Sequence, residues 1–89
     1  MMDAKVFARI AAALVSATAA AKVRAKEYGI DPHFREIVRH ARELHFLMVE
    51  QLLFNEALST EYYHGLLEST GNSIKEFEAL SEMPDGKMQ

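Results

Sequence analysis

One domain is all that 89 residues can hold, and the absence of cysteine excludes a disulfide framework and a thiolate metal site. The formal charge of −3 hides a split. Residues 1–45 carry eight Lys/Arg against five Asp/Glu, and residues 46–89 carry two against eight. An apolar share of 49% excludes wholesale disorder.

From Asp3, a plausible N-cap, to Tyr28 there is no Pro or Gly, and alanine, the best intrinsic helix former, is abundant. A first helix over about 3–28 is expected. Phe7, Ile10, Leu14, Ala17, Ala21, Ala25 and Tyr28 recur on one face, and Gly29 stands where a helix needs a left-handed residue to stop. Lys5 and Arg9 before Ile10–Val15, then Ala17-Thr18-Ala19, have a signal-peptide outline. The apolar core is short, however, and Asp3 spoils the positive start, so the segment reads as an ordinary helix of a cytoplasmic protein. No apolar run reads as long enough to cross a bilayer, and no membrane partner is expected.

Asp31-Pro32 restarts the chain with an acidic cap and proline at the first helical position. A second helix is expected over about 32–58, with Phe34, Ile37, Val38, Ala41 and Leu44 as its early core face. The one-residue linker at Ile30 favours an antiparallel hairpin of two long helices. Ser59 or Thr60 is expected to cap a short third helix over about 60–70, with Leu58 and Tyr63 as its hydrophobic staple, and Gly71 to end it. Ser73-Ile74-Lys75-Glu76 has the capping-box form and opens a short fourth helix over about 74–82. The expectation is therefore all-α: a single helical domain over 1–83 and a flexible tail over 84–89.

The stretch Leu44–Leu58 decides the quaternary reading. Ten of its fifteen residues are apolar and they do not share one stripe. At about 100° per residue, Ala41, Met48 and Leu52 form one face, Phe46, Val49, Leu53 and Ala57 a second, and Leu47, Phe54 and Leu58 a third. A helix apolar nearly all round must be covered nearly all round, and a short chain has little to cover it with. A bundle completed by homodimerisation follows, with Phe46, Leu47, Val49, Leu53, Phe54 and Leu58 at the interface.

Three patterns carry possible chemistry. Glu61-Tyr62-Tyr63-His64 is a Glu-x-x-His pair, and Glu36, His40 and Glu43 share another face, as in carboxylate–histidine metal bundles. Folding back near residue 59 places the two groups roughly 30 Å apart, so only two subunits together bring them into one site. Arg35-x4-His40 and Arg39-x5-His45 resemble the Arg-x(4–6)-His spacing of HEPN-type ribonucleases, helical proteins that act as dimers. That resemblance covers six or seven residues and implies phosphate binding by Arg35 or Arg39 and proton transfer by His40 or His45. Arg35, Arg39 and Arg42 also form an i, i+4, i+7 stripe that suits phosphate contacts in a nucleic acid.

None of these outweighs the simpler reading. The chain is expected to be a non-enzymatic regulator, adaptor or inhibitor that docks on a larger protein, with no cofactor, bound metal or catalytic residue. Its acidic second half is the expected docking face, through Glu61, Tyr62, Tyr63, Glu68, Glu76 and Glu78, because rim charge steers association and aromatic residues anchor interfaces. Nucleic-acid binding by the arginine stripe is the runner-up, and a metal protein is third.

Overall fold

Alanine-rich and amphipathic stretches bounded by caps leave the backbone one regular solution, and the structure takes it. The computed structural model describes residues 2–82, and among them every regular element is helical. In chain order these are α1 (Ala4–Tyr28), α2 (Pro32–Phe54), a 3₁₀ turn (Glu56–Leu58) and α3 (Glu61–Ser81). The helices lie along one long axis in a body of 44 × 16 × 16 Å. The expected tail over 84–89 lies outside the described residues.

The caps are built from the residues that the sequence offers. The Asp3 carboxylate accepts the Lys5 N–H at 2.6 Å, satisfying one of the free donors at the start of α1. Gly29, at φ 84°, stops α1 while its N–H still reaches the Ala25 carbonyl at 2.8 Å. Asp31 then does two things. It accepts the Phe34 N–H at 2.9 Å as the cap of α2, and it accepts two guanidinium N–H groups of Arg24 at 3.1 and 3.0 Å. The turn between α1 and α2 is thus tied back to the last turns of α1.

At the other end of this pair, the start of α1 meets the end of α2. The Met2 N–H donates to Gln51 Oε1 at 2.9 Å, and Asn55 Nδ2 donates to the Met2 carbonyl at 2.7 Å. Asn55 is buried, and its side-chain oxygen accepts the Ala57 N–H at 3.1 Å. This is why α2 stops at Phe54 rather than continuing to about 58. At Asn55 the backbone turns extended (φ −113°, ψ 106°), and its amide is worth more as a junction than as another helical residue.

The expected pair of short helices is one continuous helix. Gly71 does not end α3. It lets α2 approach: a Cβ built there lies 3.3 Å from His45 Nε2. Nor does Ser73 open a new helix. It lies inside α3, and Glu76 turns outward to Lys22 at 2.6 Å. Thr60 occupies the N-cap position of α3 but makes no side-chain cap bond, and Leu58 and Tyr63 both pack in the first core cluster.

The core has two parts. Near the α2–α3 junction, Phe7, Leu14, Met48, Leu58 and Ile74 pack together, with Tyr63 edge-on to Phe7 (ring centroids 5.8 Å, 87°). At the far end, Ala25, Ile30, Val38 and the crossed rings of Phe34 and Phe77 (4.5 Å, 66°) form the second. The inner face of α1 is rotated slightly from the one expected. Ala11 and Thr18 are buried, while Ala17 is exposed and Tyr28 lies on the surface beneath the Arg24 guanidinium at 5.0 Å. On α2, Leu44 is exposed rather than core.

One expectation about membranes changes. By length and composition, α1 is apolar enough to cross a bilayer. Its hydropathy is spread over alanines, not concentrated in one large-residue run, and core helices and signal sequences share this property.

Candidate functional site

Where α2 passes its midpoint, its inward positions are taken by Ala41, His45 and Met48. The two other helices, α1 and α3, cannot surround it, so the opposite side has no cover. Phe46 is 62% exposed, Leu47 45%, Leu53 70% and Phe54 71%. At about 100° per residue these four lie within roughly 120° of one another around the helix. Arg39, Arg42, Glu43, Phe46 and Leu47 line an open groove of about 650 Å³ on this side. Val49 is half-buried at its flank. Leu58, expected beside them, is fully buried within the chain's own core and has no surface to offer.

The arginine stripe adjoins this face, and its charge is largely engaged within the chain. Arg39 donates to Glu36, three residues back, and to Glu43 at 3.4 Å. The Arg39 guanidinium, by hydrogen bond and then by charge, holds the Glu36 carboxyl below its ordinary range, and Glu36 raises Arg39 in return. His40 faces the same two carboxylates, at 3.3 Å from Glu36 and 3.8 Å from Glu43. Arg42 Nε lies 3.8 Å from Glu78, and Arg35 Nε donates to the Ser81 carbonyl at 3.2 Å. A phosphate approaching the stripe has to compete with these carboxylates, which lowers its gain.

The same arrangement bears on the metal pattern. Between Glu36 and Glu43 the cationic place is filled by Arg39, and among the described residues no group of three His, Cys, Asp or Glu side chains is arranged to hold a metal. Glu61 and His64 are exposed near the start of α3.

The acidic residues divide. Glu76 reaches Lys22 at 2.6 Å, and that hydrogen bond and charge lower its carboxyl below the ordinary range. Glu78 faces Arg42. These two therefore balance the basic half across α1·α3 and α2·α3. Glu61 and Glu68 remain on the surface beside Tyr62, which is 64% exposed and lies edge-on to Tyr63 at 5.1 Å (77°). Tyr63 is half-buried against Phe7 and serves packing more than contact.

Three polar residues with structural roles escape a pattern-based reading. Asn55 sits one residue past an apolar run and looks like a loop residue. His45, whose buried Nε2 has no hydrogen-bond partner among the described residues, looks like one of a surface set. Asp31 reads as a cap but not as the partner of Arg24, seven residues earlier. The Arg24 hydrogen bonds, then the Phe34 N–H, bring its carboxyl from 3.8 to about 2. Only the spacing of Arg24 and Asp31 across the turn hints at that pair.

Comparisons with protein-family models, with curated proteins and with solved structures returned no match.

Proposed function

We propose that this chain is a non-enzymatic helical association module, a small regulator, adaptor or inhibitor that acts by docking the uncovered face of α2 on another protein surface. The observation that carries the reading is the exposure of Phe46, Leu47, Leu53 and Phe54 together on one helix. Burying a large apolar side chain contributes roughly 1.5–3 kcal/mol. Scaled by the exposure of the four residues, covering this face contributes about 4–7 kcal/mol from one side of an interface, before association entropy opposes it. An apolar patch of this kind, rimmed by Arg and Glu, is the anatomy of a contact site rather than of a solvated surface.

The acidic second half contributes less than its net charge suggests, since Glu76 and Glu78 are engaged with Lys22 and Arg42. Glu61, Tyr62 and Glu68 supply a secondary contact rim on α3. A hairpin of α1 and α2 running antiparallel, clasped at Arg24–Asp31 and at Met2–Asn55, is the rigid support that holds the face still. Lack of cysteine suits a reducing, cytoplasmic setting.

Leu53→Glu tests the reading. Leu53 is 70% exposed, so the variant should keep the helical content of the wild type. It should lose the proteins that wild type retains in a nuclease-treated affinity isolation from the native host. Equal retention by both would sink the proposal, and recovery of nucleic acid alone from untreated samples would favour the arginine stripe instead.

A further inference from the structure

The face of α2 is self-complementary. Its first half carries Arg39 and Arg42, with Glu36 and Glu43 beside Arg39. Its middle is apolar at Phe46 and Leu47, and its second half carries Glu50 among Val49, Leu53 and Phe54. Glu50 is exposed and has no ion-pair partner among the described residues. We infer that a second copy of this chain covers this face, its α2 packed antiparallel to the first about a two-fold axis at Phe46. This rests on the reading of the α2 face as the contact surface, and it names the occupant.

In a two-fold pair, if residue i meets residue j then j meets i. With the axis at Phe46, Glu50 of one copy lies opposite Arg42 of the second copy, and Leu53 opposite Arg39. The groove lined by Arg39, Arg42 and Phe46 then receives Leu53, Glu50 and Phe46 of the other copy. Leu53 rests on the aliphatic stem of Arg39, whose charged head stays at the rim. Glu50 thus meets Arg42 across the axis, and Glu43 keeps the ion pair with Arg39 of its own chain.

The competing register centres on Glu50 and matches Phe46 to Phe54 and Leu47 to Leu53. Two features of the structure weigh against it. It sets Glu50 on Glu50, a like-charge contact at the axis. Also, α2 ends at Phe54, so helix faces helix only over 46–54, about 13 Å at 1.5 Å per residue. An axis at Phe46 gives helix against helix over 38–54, about 25 Å.

Single-cysteine variants of the full chain decide the matter, since the sequence has no cysteine of its own. Only a residue at the axis lies close to its own copy. Under mild oxidation at micromolar concentration, Phe46→Cys should form a covalent dimer and Glu50→Cys should not. The reverse pattern overturns the register. Because losing the Phe46 ring weakens the contact itself, Glu50→Gln gives a second reading by sedimentation. It should weaken the dimer severalfold here, by losing the Arg42 pair, whereas it should strengthen a dimer centred on Glu50. A wild-type chain that sediments as a monomer at micromolar concentration overturns the second copy as occupant. In that case loss of host partners by Leu53→Glu still upholds the α2 face as a docking surface.

Discussion

Two glycines in one helix should respond oppositely to the same methyl group. Gly65 and Gly71 both lie inside α3 with ordinary helical φ. A glycine in a helix interior costs roughly 0.5–1 kcal/mol relative to alanine, because the unfolded chain loses more freedom. At Gly65 an added Cβ meets nothing within 4 Å. Gly65→Ala should therefore stabilise by about 0.5–1 kcal/mol, raising the melting temperature of a chain this size by about 3–6 °C. At Gly71 the same gain meets a contact of 3.3 Å to His45 Nε2. The imidazole has to give way by a few tenths of an ångström, and overpacking that it does not relieve costs roughly 1–3 kcal/mol. Gly71→Ala should be neutral to destabilising by about 2 kcal/mol. The cause is tested by repeating it in a His45→Ala background, where the methyl should become favourable, a coupling visible in a double-mutant cycle. Thermal melts at one fixed protein concentration suffice, since any dimer makes the melting point concentration-dependent. If Gly71→Ala raises the melting temperature as much as Gly65→Ala does, the close approach at Gly71 is not what the residue is for.

Phe77→Ala should cost about 3–5 kcal/mol, because the ring is fully buried against Phe34, and should lower the thermal midpoint followed by circular dichroism by about 12 °C or more. Asn55→Ala should cost about 1–3 kcal/mol in urea titrations, since it strands the part-buried Met2 carbonyl and the Ala57 N–H that the amide now satisfies. Asp31 has a folded-state carboxyl at about 2 against an ordinary 3.8, so its contribution is full above about pH 4 and is lost as pH falls toward 2. Asp31→Asn should accordingly flatten that part of a urea-midpoint profile while lowering the plateau. Reversing Glu76 and Glu78 to Lys should lower the melting temperature and leave association of the folded fraction unchanged, and a selective loss of partner binding would restore the acidic half as the docking face.

The helical character of the chain was legible because local signals agree with one another. Asp3, Gly29 and Asp31-Pro32 act on their own neighbours, and their effect needs no knowledge of the rest of the fold. Gly71 and Ser73 misled for the opposite reason. Both have local preferences for ending or capping a helix, but Gly71 is where α3 meets the distant His45, and Ser73 lies within the continuous α3. The excess of apolar residues around Leu53 was readable from periodicity, since it depends only on how many faces one helix can hide. Which of them lie outside was not. Leu58 and Phe54 appeared on the same face of an uninterrupted helix, and the break at Asn55 sends one inward and leaves the other out. The charge split was legible too, but its meaning needed coordinates, because Lys22–Glu76 and Arg42–Glu78 join residues that the sequence separates by half its length.

The clasp between Met2 and Asn55 also sets an order of events in time. The partners of the first backbone groups, Gln51 and Asn55, come 49 and 53 residues later in the chain. At synthesis rates of about 5–20 residues per second, the leading helix waits roughly 3–10 s for them. During that interval Ile10–Ala21, a run without one charged side chain, has only the early turns of α2 to lie against, through Ala21 with Phe34 and Val38. The nascent chain thus leaves Ala11 and Leu14 without their core partners Met48, Leu58 and Ile74 until the end of α2 and then α3 arrive.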